Sequence, residues 1–254
     1  MGISKLIGLK ATILFFIFVY LRGLGITLVP VVFLHASLVS FLVSFASHPS
    51  VNLPLLLGKS SDGSFPLWSV ILFGPYLAFI RIFVLLRRLR SREPLYTEIS
   101  EGLYVGGWPS SVDNLPPGEP AVIDCTCELP RSSSVLKNAY LCVATWDTRA
   151  PLPSQIESAV RWACRKRAHG KSVFIHCAFG HGRSVSVLCA LLVELGLVED
   201  WKSAEKLIKE KRPCIQMNAL HRKSLEEWSK NRLSTKRNDR TDVSSVILSS
   251  ASTD

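Results

Sequence analysis

Residues 172–197 place three elements back to back, and that order constrains the chain more than any other feature. Ser172 to His176 (Ser-Val-Phe-Ile-His) is short, β-branched and aromatic, which is the pattern of a buried strand. Arg183 to Leu197 carries Leu188, Leu191, Leu192 and Leu195 at helical spacing and ends near Gly196. Between them lies Cys177-Ala178-Phe179-Gly180-His181-Gly182. A strand that turns through such a loop into a helix aims successive backbone N–H groups at one point. The positive end of the helix dipole lies behind that point, so the loop is built to cradle an anion. Cys177 opens the loop and Arg183 closes it with a planar fork suited to two oxygens of one anion.

A Cys six residues before an Arg is weak on its own. His176 before the Cys, Gly180 and Gly182 within the loop, and Ser184 after the Arg make the pattern specific. No Lys-Ser/Thr pair follows the glycines, which sets it apart from a Walker A loop. The stretch resembles the Cys-x5-Arg signature of the cysteine-dependent phosphatases, and the late position of the Cys is similar to the dual-specificity group. The resemblance runs from about Glu98 to Trp228 and includes Gly102-Leu-Tyr-Val-Gly, Val122-Ile-Asp-Cys-Thr-Cys-Glu-Leu-Pro and Ala204-Glu-Lys-Leu-Ile-Lys-Glu-Lys-Arg-Pro. The apolar N-terminal part lies outside it.

Charge and hydropathy divide the 254 residues in two. Hydrophobic residues make up 48% of the chain, and the formal charge is +10. Residues 1–90 hold eight Lys/Arg against one Asp, while residues 91–254 hold 22 basic and 19 acidic groups. The excess positive charge thus belongs to the apolar half, a membrane pattern, and no basic-aromatic patch points to nucleic acid. All seven Cys lie beyond residue 120, within apolar or strand-like stretches, as expected of a reducing compartment. Cys125-x-Cys127 with His176 and Cys177 is poor zinc spacing, and no metal site is expected.

Residues 1–92 read as a membrane region. The run 11–21 is too short to cross a bilayer, which needs about 20 residues. Two longer runs, 23–45 and 67–86, are long enough, and residues 46–66 form a Pro- and Gly-containing loop with only Lys59 and Asp62 as charges. A two-span hairpin puts Lys5, Lys10, Arg22 and the Arg87, Arg88, Arg90 and Arg92 cluster on one side, and the positive-inside rule makes that side the cytosol. A three-span version would use 11–21 with its flanks and reverse the N-terminus.

Residues 93–230 read as a catalytic domain. Strands are expected at Leu103–Val105, Ala121–Cys125, Tyr140–Trp146 and in the Cys177 segment. Helices are expected from Ser154 (with Glu157 completing a capping box) to Gly170, over Arg183–Leu197, over Trp201–Lys211 and over Ala219–Lys230. Alternating strands and helices imply an α/β fold with a mostly parallel, helix-flanked central sheet, as the resemblance also implies. Residues 231–254, rich in Ser, Thr and charge, read as a disordered tail.

The chemistry follows from the loop. A helix N-terminus, inward N–H groups and a nearby Arg lower a thiol pKa, so Cys177 is the expected nucleophile and forms a cysteinyl-phosphate. Arg183 and the N–H groups of Ala178, Phe179, Gly180, His181, Gly182 and Arg183 hold the phosphate oxygens. The leaving oxygen needs a proton, and Asp147, in Trp-Asp-Thr-Arg-Ala-Pro, stands where the resemblance implies a general acid. Asp124 is the alternative acid, Ser184 is expected to stabilise the leaving thiolate, and His176 to support the loop. No step needs a cofactor. The expected partners are the lipid bilayer and a phosphoprotein substrate (phosphotyrosine and phosphoserine/threonine) or, alternatively, a simple phosphomonoester lipid; a phosphate-binding module without activity is the third reading. Cys125 or Cys127 could trap oxidised Cys177 as a disulfide.

Overall fold

A computed structural model describes residues 3–250, and of 235–250 only the helical path. The chain begins with three apolar helices, α1 (Ile3–Gly23), α2 (Val29–Ala46) and α3 (Leu67–Arg90). Among the described residues all three are long and apolar enough to cross a membrane, where the sequence pattern singled out two. The run 11–21 belongs to a 21-residue helix because Lys5 and Lys10 do not end it. Lys10 lies on the helix flank, with its ammonium 4.0 Å from the centre of the Phe79 ring. The second run starts later than residue 23 because Gly25 takes a positive φ and Pro30 sits in the first turn of α2. Pro75 is accommodated inside α3, which continues to Arg90.

The rest of the chain forms a five-stranded sheet of β1 (Tyr96–Ser100), β2 (Leu103–Gly106), β3 (Ala121–Asp124), β4 (Tyr140–Cys142) and β5 (Val173–His176), in the order β1-β2-β5-β3-β4. All neighbours are parallel except the edge pair β1/β2, and β5 lies at the centre with all four residues buried. Side chains alternate across the sheet. Val105, Ile123, Val173 and Ile175 face the helical core, while Tyr104, Val122 and Phe174 face Val135 on the other side. The helical layer is α4 (Pro153–Ala168), α5 (Arg183–Glu194), α6 (Trp201–Lys211) and α7 (Ala219–Ser250). This is an α/β fold with a mostly parallel sheet flanked by helices.

Three local expectations change. The strand expected at 140–146 stops at Cys142, and its continuation runs as a loop toward the site. The capping partner of α4 is Gln155, whose Oε1 accepts the Leu152 N–H at 2.9 Å, because Pro153 starts the helix one residue early. Glu157 instead accepts from Arg161 and from Trp228 Nε1. Helix α7 runs through the expected tail to Ser250, since no Gly or Pro lies between Ala219 and Ser250; residues 251–254 lie outside the described residues.

Helix α3 is packed onto the sheet domain. Ser69, Phe73, Tyr76, Leu77, Ile80 and Val84 form the buried stripe of α3, and its core is continuous with Trp108, Leu129, Trp146 and Ala178. The Tyr76 and Trp146 rings meet edge to face at 6.4 Å. The loop between α2 and α3 also touches the domain: Lys59 is buried on Asp124 at 2.6 Å, and Arg149 donates twice to the Ser47 carbonyl, at 2.9 and 3.1 Å.

Candidate active site

The site sits at the C-terminal edge of the sheet, where β5 delivers Cys177 between β2 and β3. Gly180 is required twice over. Its φ is +76°, and a Cβ there would lie 2.6 Å from the Gly106 backbone. Gly182 is required by space, since a Cβ would lie 2.6 Å from the His221 ring. From behind, buried Arg212 ties the loop down: Nε donates to the Gly180 carbonyl at 3.2 Å and Nη2 to the Phe179 carbonyl at 3.1 Å. With those carbonyls held outward, the loop N–H groups turn toward the Cys177 sulfur, and Gly180 N–H reaches it at 3.2 Å.

Cys177 is buried, which alone would raise its pKa. Arg183, the Ser184 hydroxyl 3.4 Å from Sγ, and the N–H groups of Ser184 and Phe179 outweigh burial and bring it below the ordinary thiol value. At Cys125 and Cys127 burial outweighs the pull of Arg183 and drives the thiols far upward. Cys125 feels the charge of Cys177, whereas Cys127 Sγ lies 3.5 Å from Glu128. All seven thiols are free.

Arg183 is 2% exposed, and both terminal nitrogens of its guanidinium have acceptors. Nη1 donates to Glu128 Oε2 at 3.0 Å and to the Thr145 carbonyl at 2.7 Å, while Nη2 lies 2.9 Å from Glu128 Oε1 and 3.2 Å from Asp147 Oδ1. Burial works against its charge, but Glu128 and Asp147 push its pKa well above the ordinary value. Asp147 sits in the turn after β4, just before Thr148 at a φ of +64°, with a third of its side chain exposed. Asp147, Thr148, Cys177, Phe179, His181, Gly182, Arg183 and His221 share one cavity of about 150 Å³.

The remaining expected residues divide. Asp124 is absent from that cavity; it is fully buried, accepting from Lys59, Tyr140 and Thr126, so it is not placed to act as an acid there. His176 stacks on Phe174, with Nδ1 3.4 Å from the Cys177 carbonyl, behind the loop. His181 lines the cavity, with Nε2 2.6 Å from Glu93. Glu93, His181 and Cys214 bring their ligand atoms within 4.8 Å of one another, and the His181–Glu93 bond ties the loop to the segment after α3.

Four residues of the site carried no sequence signal of their role. Glu128 and Arg212 lie in conspicuous motifs, yet only the fold reveals what they hold. His221, 3% exposed, accepts the Asn218 N–H at Nδ1 (3.1 Å), and its ring forms part of the cavity wall. Arg87, at the end of α3, joins the cavity lining with its guanidinium 4.3 Å from the Phe179 ring centre.

Residues 117–231 match the dual specificity phosphatase catalytic domain family. That part of the chain is therefore similar to a catalytic domain of the dual-specificity phosphatase type. It is 26% identical over 95 residues to dual specificity protein phosphatase 22-B of Danio rerio, covering 37% of this chain and 51% of the relative. It is 24% identical over 139 residues to dual specificity protein phosphatase 22 of Mus musculus, covering 53% and 74%. The chain therefore spans about half the length of the fish relative. Among solved structures, the active form of Tk-PTP is similar at 25% identity and a TM-score of 0.49, covering 54% of this chain and 97% of that one. PTPMT1 in complex with PI(5)P is similar at 22% and 0.49, covering 56% and 99%.

Proposed function

We propose that the protein is a membrane-anchored phosphatase that hydrolyses phosphomonoesters through a cysteinyl-phosphate. The observation that carries this is a buried thiol held between Arg183, the Ser184 hydroxyl and an inward loop N–H, with a carboxylate in the same cavity. The Cys177 thiolate attacks phosphorus in line, forming the S–P bond as the P–O bond to the leaving group breaks. Asp147, protonated, gives its proton to the departing oxygen. Arg183 and the loop N–H groups from Ala178 to Arg183 hold the three equatorial oxygens. Water then attacks phosphorus, Asp147 takes its proton, and the thiolate leaves toward the Ser184 hydroxyl. The net change is ester plus water to alcohol plus phosphate, with no cofactor.

Glu128 fixes the Arg183 fork and Arg212 fixes the loop, so both are positioning residues. The substrate class proposed first is phosphotyrosine and phosphoserine/threonine on proteins, because the loop side chains carry no ammonium group. A phosphomonoester lipid is favoured instead by one observation, the presence of Arg87 in the cavity wall at the end of an apolar helix. A kinetic comparison of phosphotyrosyl and phosphoseryl peptides with a monophosphorylated lipid in mixed micelles separates the two. No turnover of any of these, or of a generic aryl phosphate, would overturn the phosphatase reading and leave a phosphate-binding module.

A further inference from the structure

The sequence suggests that α2 and α3 cross the bilayer with residues 47–66 on the far side from the catalytic domain. The contacts of those residues favour a different pairing. We propose that α1 and α2 form the transmembrane hairpin, that α3 lies along the membrane surface as a wall of the catalytic domain, and that residues 47–66 stay on the catalytic side.

The first observation is the loop itself. Lys59 Nζ donates to Asp124 Oδ2 at 2.6 Å and to the Thr126 carbonyl at 2.8 Å, and both charged side chains are fully buried. Gly63 accepts the Arg131 N–H at 2.9 Å and packs so closely that a Cβ would meet the Tyr140 hydroxyl. Arg149 holds the Ser47 carbonyl. A bilayer cannot pass between a loop and a domain joined in this way.

The second is the direction of α3. Near its start Phe73 and Tyr76 reach the domain core at Trp146, and at its end Arg87 covers Phe179 and Arg88 donates to the Trp108 carbonyl. A 24-residue helix is about 36 Å long. Lying along a domain over that length, it cannot also stand across about 30 Å of hydrocarbon. Its outer face, with Leu67, Trp68, Ile71, Ile82, Leu86 and Leu89 exposed, is apolar and suits an in-plane position at the acyl boundary.

The third is the hairpin. Small residues close it: Ser37 Oγ donates to the Ala11 carbonyl at 2.8 Å, and Ser44 Oγ to the Ser4 carbonyl at 2.7 Å, with Gly8 beside Ser44. Ile7, Val39, Val43 and Ala46 join the core shared with α3, so the open end of the hairpin lies at the domain. Between Thr12 and Ala36 only Pro30 is buried, and the tip is Leu24–Leu28. Helices of 21 and 18 residues rise about 31 and 27 Å, a match to the hydrocarbon core. Of the basic residues, Arg22 is at the tip, while Lys5, Lys10, Arg87, Arg88, Arg90 and Arg92 lie toward the domain. The positive-inside rule then makes the domain side cytosolic, facing anionic lipid.

The test is side-specific labelling of the full chain in sealed microsomes, cytosolic face outward. Single cysteines replace three exposed residues, Ser61→Cys in the loop, Thr27→Cys at the tip and Lys171→Cys in the catalytic domain, and a membrane-impermeant maleimide is located by peptide mass. The expected result is that Ser61→Cys and Lys171→Cys react without detergent and Thr27→Cys only with it. Protection of Ser61→Cys beside a reactive Lys171→Cys would restore the α2/α3 hairpin. A reactive Thr27→Cys would mean that the hairpin does not cross, and that its apolar surface packs in plane or on another copy. Protection of Lys171→Cys would overturn the cytosolic assignment. None of these outcomes depends on whether the domain is a phosphatase.

Discussion

The Arg87 guanidinium lies 4.3 Å from the centre of the Phe179 ring, joining the end of an apolar helix to the phosphate loop. The loop motif supplies no ammonium group, so the cation at the cavity mouth comes from a residue ninety positions upstream. Arg87→Ala should leave kcat on an aryl phosphate unchanged. It should raise KM by about 5- to 30-fold for a monophosphorylated lipid in anionic micelles, the range for a partly desolvated cation contact of about 1–2 kcal/mol. An equal change on both substrates would place Arg87 in loop support instead.

Cys177→Ser should abolish turnover while phosphate binding persists, because only the nucleophile is lost. Substantial residual activity would end the cysteinyl-phosphate proposal. Asp147→Asn should slow alkyl phosphates more than aryl phosphates, since a good leaving group needs protonation less. Identical losses on both would assign the proton to another group.

The local placement was legible and the long-range placement was not. Cys177, Arg183 and Ser184 share one strand-loop-helix, so their spacing alone brings them together. Asp147 reaches the site through a turn whose position the resemblance supplied. Glu128, Arg212 and His221 reach it only through the parallel sheet order and the helix layer, which no local pattern encodes. The edge strand β1, Tyr-Thr-Glu-Ile-Ser, carries no strand pattern in the sequence because it is short, polar and only half buried. In the apolar half, Lys5 and Lys10 hid the length of α1, although charges on one flank do not end a helix. Lys59 read as one of two charges in a weakly charged loop, yet it is fully buried.

Glu128→Gln should leave the buried Arg183 charge with less compensation and its fork misdirected. Losing one partner of a buried pair costs about 3–5 kcal/mol when nothing replaces it, and the remaining Thr145 and Asp147 contacts put the expected loss near the lower end. Activity should fall more than stability requires: kcat on an aryl phosphate should drop at least about tenfold at a temperature where the variant is folded, as for a lost transition-state contact. Unchanged kcat in a destabilised variant would make Glu128 purely structural.

Lys59→Met removes the partner of Asp124. Burial raises the Asp124 pKa, but Lys59 and His176, with the Lys59 and Tyr140 hydrogen bonds, outweigh it and hold the group down at about 2 against an ordinary 3.8. A carboxylate with a lowered folded pKa contributes stability that is complete above 3.8 and is lost as pH falls toward 2. The wild-type melting temperature should therefore drop through that window, by the equivalent of about 2 kcal/mol. Lys59→Met should melt lower at neutral pH and show a flatter acid limb. An unaltered acid limb would mean that Lys59 does not hold Asp124 in solution.

His221 responds to acid over a higher window. Burial lowers its pKa to about 4 from 6.5, with Arg183 adding to the effect, so the ring is neutral at physiological pH. Nδ1 accepts the Asn218 N–H, which leaves the proton on Nε2, in the wall of the cavity. The unfolded chain binds a proton at His221 near pH 6.5 and the folded chain only near 4. Its contribution is therefore present above 6.5 and is lost as pH falls to about 4, a span worth roughly 3 kcal/mol. His221→Asn keeps an acceptor for Asn218 but does not titrate. It should match wild type within about 1 kcal/mol at pH 8 and lose less stability between pH 6.5 and 4. The two acid limbs are compared by denaturant midpoint at each pH, and parallel limbs would show that His221 is not held neutral by the fold.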